Sequence, residues 1–96
     1  MKTNNLKKDT DAPKSITVNV EYNQEIEKIT GIKRHPVVMN YGATFMFLLQ
    51  SIFIEYPEIE KQYPPSILGF SINGVPPKLY TPLFDEDTVF FYTNKN

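Results

Sequence analysis

The sequence has no cysteine and no tryptophan, a single histidine (His35), and only four glycines, no two of them adjacent. Without cysteine there is no disulfide, no thiolate nucleophile and no Cys-ligated zinc or iron–sulfur centre, so the fold must rest on packing. Neither sign of charge dominates: ten Lys plus Arg stand against eleven Asp plus Glu, a net charge of -1. Such a balance gives no overall field to attract a phosphate backbone or an anionic lipid surface, and neither nucleic acid nor membrane is an expected partner. Long hydrophobic runs are missing as well. The most apolar stretch, Phe45 to Ile54, is ten residues long and contains Gln50 and Ser51, whereas a bilayer span takes about 20. No apolar run follows the N-terminal lysines as a secretory signal would have it. The expected location is the cytoplasm.

A chain of 96 residues is the size of one small domain. Residues 1–14 carry Lys2, Lys7, Lys8 and Lys14 mixed with Asp9 and Asp11, and their only large apolar side chains are Met1 and Leu6. They are expected to form a flexible N-terminal segment. The single domain is expected over residues 15–93, with 94–96 a short tail.

Within the domain, Ile16, Val18, Val20 and Tyr22 alternate with Thr17, Asn19 and Glu21, which is the period of a half-buried strand. Ile26 and Ile29 then fall at helical spacing, with Gly31 placed to cap a short connector helix. Pro36 precedes Val37, Val38 and Met39, read as a second strand antiparallel to the first, with His35 in the solvent-facing loop before it. Thr44 is positioned as an N-cap, and Phe45, Leu48, Leu49, Ile52, Phe53 and Tyr56 recur as one apolar helix face. Pro57 interrupts this helix, a short helical turn follows to Tyr63, and Pro64 and Pro65 end it. Leu68, Phe70 and Ile72 alternate in a third strand that runs into Asn73-Gly74, a tight-turn dipeptide. Val75 and Leu79 to Tyr80 read as an edge or irregular return strand because of Pro76 and Pro77. Thr88 to Thr93 is the last strand, entered through the acidic turn Asp85-Glu86-Asp87.

One main helix laid across a mixed sheet of four to five strands buries a single core. This is an α+β architecture, a β-grasp or ubiquitin-like domain, with the first and last strands as parallel central neighbours.

Six segments in order resemble the small sulfur-carrier proteins, the molybdopterin synthase small subunit and thiamine carrier (MoaD/ThiS-like) family. They are Glu25-Ile26-Glu27-Lys28-Ile29-Thr30-Gly31, Tyr41-Gly42-Ala43-Thr44, Leu48-Leu49, Tyr56-Pro57-Glu58-Ile59, Ser71-Ile72-Asn73-Gly74, and Pro82-Leu83 with Asp85, Asp87 and Val89-Phe90-Phe91. The resemblance spans Ile16 to Tyr92, and the connector and the Tyr-Pro-Glu-Ile segment favour the molybdopterin branch. It implies the β-grasp fold and protein partners, namely an activating enzyme or a synthase large subunit. In that family a terminal Gly-Gly is adenylated and converted to a thiocarboxylate, since any Cβ there would collide in a narrow channel. Here the sequence ends Tyr92-Thr93-Asn94-Lys95-Asn96, and Glu86 replaces the glycine usual between the acidic turn residues. The resemblance therefore carries over no catalytic residue.

The remaining chemistry-bearing residues read as structural. His35 has no nucleophile beside it to activate. Asp85, Glu86 and Asp87 lack the ligand number and spacing of a calcium loop and read as a solvated turn. Glu55, Glu58, Glu60 and Lys61 read as an exposed helix end, and there is no phosphate loop, dinucleotide fingerprint or zinc motif. No cofactor, metal or enzymatic activity is expected. What stands out is surplus apolar surface. Met46, Phe47 and Ile54 fall outside the core face of the main helix, and Phe90 and Tyr92 share the outward face of the last strand while Val89 and Phe91 face the core. Contiguous apolar surface on a small domain marks a partner or self-association site unless another segment covers it; residues 1–14 and the Pro64-Pro65 loop are the two segments that could. The candidate interaction residues are Phe90, Tyr92, Phe47 and Ile54. The expected function is a non-catalytic ubiquitin-like interaction or accessory module, with a sulfur carrier for molybdopterin or thiamine cofactor synthesis as the alternative.

Overall fold

The computed structural model describes residues 14–94. The flexible segment expected over 1–14 lies outside the described residues apart from Lys14, as do the last two residues of the expected tail.

Strand β1 (Ser15–Tyr22) buries Ile16, Val18, Val20 and Tyr22 and leaves the alternate residues at the surface, which is the period-2 pattern of its sequence. Helix α1 (Gln24–Thr30) starts at Asn23, whose Oδ1 accepts the Ile26 N–H at 3.1 Å. It ends at Gly31, whose φ of 77° is the left-handed conformation that a residue with a Cβ resists. Ile26 is its fully buried anchor.

Strand β2 (Arg34–Asn40) is antiparallel to β1, with Val20 opposite His35 and Asn19 opposite Pro36. The Tyr22 N–H donates to Lys33 O across this pair. The even-numbered residues of β1 therefore face their partners through hydrogen bonds, and Pro36, opposite an odd one, turns its nitrogen to the free edge where no donor is needed. Proline thus does not mark the strand start. The strand extends back through His35, which shares the inner face with Val20 and does not lie in a solvent-facing loop.

Helix α2 (Phe45–Glu55) buries Phe45, Leu48 and Ile52, and Leu49, Phe53 and Tyr56 pack partly against the same core. Thr44 occupies the N-cap position, but its side chain makes no capping hydrogen bond. The first-turn donors are satisfied from a distant segment: Phe45 N–H donates to Thr81 O at 2.8 Å and Met46 N–H to Leu79 O at 2.9 Å. Pro57 enters the short helix α3 (Glu58–Gln62), which anchors through the fully buried Ile59.

Strand β3 (Leu68–Ile72) pairs antiparallel with β4 (Thr88–Thr93), and β4 pairs in parallel with β1, in the order β2-β1-β4-β3. Asn73 and Gly74, both at positive φ, make the expected two-residue turn, closed by the Ile72–Val75 bridge. Nothing prolongs the bridge. Pro76 and Pro77 offer no N–H to a ladder, so the expected return strand around Leu79 and Tyr80 does not form and the sheet has four strands among the described residues. The core gathers between sheet and helices around Tyr22, Phe91, Leu48, Ile52 and Leu83. Full burial of a side chain such as Phe91 or Leu48 stabilises the fold by about 1.5–3 kcal/mol.

Candidate interaction surface

The two-layer architecture places the four sequence-derived candidates on opposite sides of the domain. Phe90 and Tyr92 point away from the helices on the outer face of the sheet, where their rings stack at 5.4 Å. They are half-buried. Phe90 has Glu21 on one side and Ser71 on the other, and the Tyr92 ring lies over Gly69, where a Cβ would run into it. The neighbouring Glu21 pairs with Arg34 at 3.8 Å. Phe47 and Ile54, seven residues apart on α2 and so on one line of the helix, are 55% and 81% exposed. Met46 is also exposed. The Pro64-Pro65 loop therefore leaves this side of α2 open.

The larger apolar surface is one the candidate set does not include, the loop between Ile72 and Thr88. Val75, Leu79, Tyr80 and Phe84 are all more than half exposed, Tyr80 at 72%. The backbone beneath them is fixed. Leu79 and Thr81 carbonyls cap α2, Leu83 N–H donates to Ala43 O, and the Lys78 N–H is held by Thr81 Oγ1. Leu83 itself is a buried anchor. Val75, Pro76, Tyr80 and Phe84 line one groove of about 420 Å³ with Ile72 at its base. Because Leu79 is hydrogen-bonded to Met46, this loop surface continues onto the exposed start of α2 at Met46 and Phe47. The composition of the loop, three prolines with five large apolar residues and no alternation, is the available signal. By its sequence the same segment reads as an edge or irregular strand, which hides that signal.

The acidic turn has a structural duty. Asp85 Oδ1 accepts the Thr17 N–H at 2.7 Å, and Asp87 accepts from Phe84 N–H and from Asn73 Nδ2, each at 2.8 Å. Glu86 between them adopts φ 71°, the conformation for which glycine is suited. No group of His, Asp and Glu among the described residues is arranged to hold a metal ion.

His35 is likewise committed. Its ring stacks on Tyr22 at 5.5 Å, and its Nε2 lies 2.7 Å from the Tyr22 hydroxyl. Burial, followed by the nearby Tyr56 and Glu55, raises the Tyr22 phenol well above its ordinary range. Burial also raises Tyr56 and Tyr63, with Glu55 adding to the first and the Glu25 hydrogen bond to the second. The Tyr22–His35 contact lies across β1 and β2, and the Tyr63 hydroxyl donates to Glu25 Oε1 at 3.2 Å, joining the end of α3 to α1. No helix among the described residues is long and apolar enough to cross a membrane.

No protein-family model matches the chain, and no curated protein matches it by sequence. Solved structures do. A protein described as molybdopterin converting factor subunit 1 from Pyrococcus furiosus superposes with a TM-score of 0.73 at 20% identity, covering 83% of this chain and 99% of that one. Small archaeal modifier protein 1 from Methanosarcina acetivorans gives 0.68 at 18% identity, over 83% of this chain and 94% of the other. The ubiquitin of Caldiarchaeum subterraneum gives 0.58 at 12% identity, over 86% and 98%. At these identities the likeness is one of fold. The chain has the ubiquitin-like β-grasp fold that these three proteins share.

Proposed function

We propose that this chain works as a non-catalytic protein-interaction module of the cytoplasm, an accessory of the molybdopterin synthase small subunit type. The observation that carries the reading is the pinned apolar loop. Leu79 and Tyr80 are held by the carbonyls of Leu79 and Thr81 that cap α2, Val75 by its bonds to Ile72, and Phe84 by the Asp87 carboxylate and by buried Leu83 beside it. A rigid surface of this kind loses little entropy on docking, which is what a partner site requires. Phe47 and Ile54 extend it along α2, and the stacked Phe90 and Tyr92 offer a second face across the sheet. The partner implied by the fold likeness is an activating enzyme or a synthase large subunit, with self-association as the other way of covering the loop.

The test is affinity capture from the native cell with the wild-type chain and with a Tyr80→Asp/Phe84→Asp variant. The expected result is a retained partner that the variant loses. Equal retention by both proteins refutes a loop-centred interface, and retention by Tyr80→Asp/Phe84→Asp with loss by Phe90→Asp moves the interface to the sheet.

The fold likeness to molybdopterin converting factor subunit 1 supports a second reading, sulfur carriage. That chemistry takes a terminal Gly-Gly, and no two glycines are adjacent in these 96 residues. Mass spectrometry of the C-terminal peptide from native protein separates the two readings: a thiocarboxylate, sulfur in place of one carboxylate oxygen, establishes the carrier, and an ordinary carboxylate supports the accessory module.

A further inference from the structure

The edge of the sheet at β3 is open in one place. Asn73 N–H donates to Thr88 O and Asn94 N–H to Ile67 O, so in this antiparallel ladder the odd-numbered residues of β3 bond to β4 and the even-numbered ones face outward. Of those, Ile72 is covered by Val75 through two hydrogen bonds, and the Leu68 N–H reaches Pro64 O. The N–H and C=O of Phe70 have no partner among the described residues. The chain's own return segment stops short of Phe70 because Pro77, the residue that would face it, has no N–H to give.

Beside this edge lies a depression of about 190 Å³ lined by Leu49, Phe53, Tyr63, Pro65, Leu68 and Phe70, with Glu60 at its margin. It is smaller than the roughly 300–1,000 Å³ of small-molecule sites and matches a single branched side chain. A second hollow, formed by Gln50 and Ile54, adjoins it through Phe53 and Glu60. Glu60 is in no ion pair among the described residues, whereas its neighbour Glu58 is held by Lys61 at 3.4 Å. Open backbone groups, an apolar pocket on the inward side of the same strand and an unpaired carboxylate between two hollows form one constellation.

We infer that the β3 edge takes up an extended peptide segment of a partner protein, paired to the Phe70 backbone, with an aliphatic side chain in the Leu49–Phe70 depression and a basic side chain on Glu60. This is strand addition, in which main-chain hydrogen bonds supply affinity and the side-chain pocket supplies selectivity. The site is separate from the loop surface, so it stands or falls independently of the interface proposed above.

The probe is the synthetic peptide acetyl-Thr-Lys-Thr-Ile-Thr-Val-amide, whose Lys and Ile share one face of an extended chain, titrated into the full 96-residue chain and followed by amide NMR shifts and hydrogen exchange. Shifts are expected at Leu68, Phe70 and Glu60, with new exchange protection of the Phe70 N–H. Methylating the peptide nitrogen that faces Phe70 is expected to weaken binding about tenfold, the worth of one hydrogen bond. Glu60→Gln, an exposed change that leaves the core alone, is expected to weaken it about two- to fivefold and to reduce its salt dependence. Replacing the peptide's Ile by Ala tests the pocket without touching the protein. The inference is overturned if Phe70 gains no protection at saturating peptide, or if the shifts gather on Phe90 and Tyr92. Concentration-dependent protection of Phe70 without peptide also overturns it, because a second copy would then own the edge.

Discussion

Gly69 is buried under the Tyr92 ring on the outer face of the sheet, and a Cβ built there collides with the far side of that ring. Gly69→Ala therefore forces Tyr92 to move. The Asn94 amide nitrogen, 3.0 Å from the same point, ends an exposed side chain and gives way freely. Tyr92 does not, because its ring stacks on Phe90 at 5.4 Å. Overpacking of this kind costs about 1–3 kcal/mol, and a disturbed aromatic pair accounts for about 0.5–1.5 of it. Replacing glycine in a strand returns about 0.5–1 kcal/mol through the lower entropy of the unfolded chain. The net expectation is a loss of about 1–2 kcal/mol, or about 4–16 °C in Tm for a domain of this size. In a Tyr92→Ala background the obstacle is gone, and Gly69→Ala is expected to be neutral or stabilising by up to about 1 kcal/mol. Urea unfolding of the four proteins, followed by circular dichroism, yields the coupling energy directly. If Gly69→Ala costs the same in both backgrounds, Tyr92 is not what confines the glycine, and the account of this face as a glycine-seated aromatic pair is wrong.

Three further predictions concern the acidic turn and the buried phenol. Glu86→Gly relieves a side-chain-bearing residue held at φ 71° and is expected to leave stability unchanged or raise it by up to about 1 kcal/mol; a clear loss in the denaturation midpoint refutes this. Asp87→Ala strips the acceptor from the Phe84 N–H and the Asn73 amide and is expected to cost about 1–2 kcal/mol by the same measurement. Because folding raises the Tyr22 phenol, the native state favours its neutral form. That contribution is intact below the unfolded value of about 10 and drains away above it at about 1.4 kcal/mol per pH unit. Stability of the wild type should fall between about pH 10 and 11 more steeply than that of Tyr22→Phe, and parallel pH profiles would refute the assignment.

Much of the architecture was legible because it is written in local periodicity. Alternation in Ile16 to Tyr22 and in Leu68 to Ile72, the helical recurrence from Phe45 to Tyr56, Gly31 after Thr30 and the Asn73-Gly74 pair each determine an element from a few neighbouring residues. Their order was enough for the β-grasp topology with β1 beside β4. The readings that failed depended on partners distant in the chain. His35 moved from loop to inner face because the β1 register puts Pro36 on the hydrogen-bond-free edge, which no residue near Pro36 reveals. Thr44 lost its capping bond to carbonyls of Leu79 and Thr81, some 35 residues away. The same long-range bonds turn an aborted strand into a pinned apolar loop.

The candidate surface divides along the same line. From the sequence alone came the surplus of apolar residues, the outward facing of Phe90 and Tyr92 relative to Val89 and Phe91, and the position of Phe47 and Ile54 off the core stripe, all consequences of strand and helix geometry. Tertiary structure decided that these two pairs lie on opposite sides of the molecule, that Tyr92 is seated over Gly69, and that Phe70 keeps an open edge beside an apolar hollow. Periodicity states which way a side chain points from its own element; only the packing of sheet against helix and loop states what it then meets.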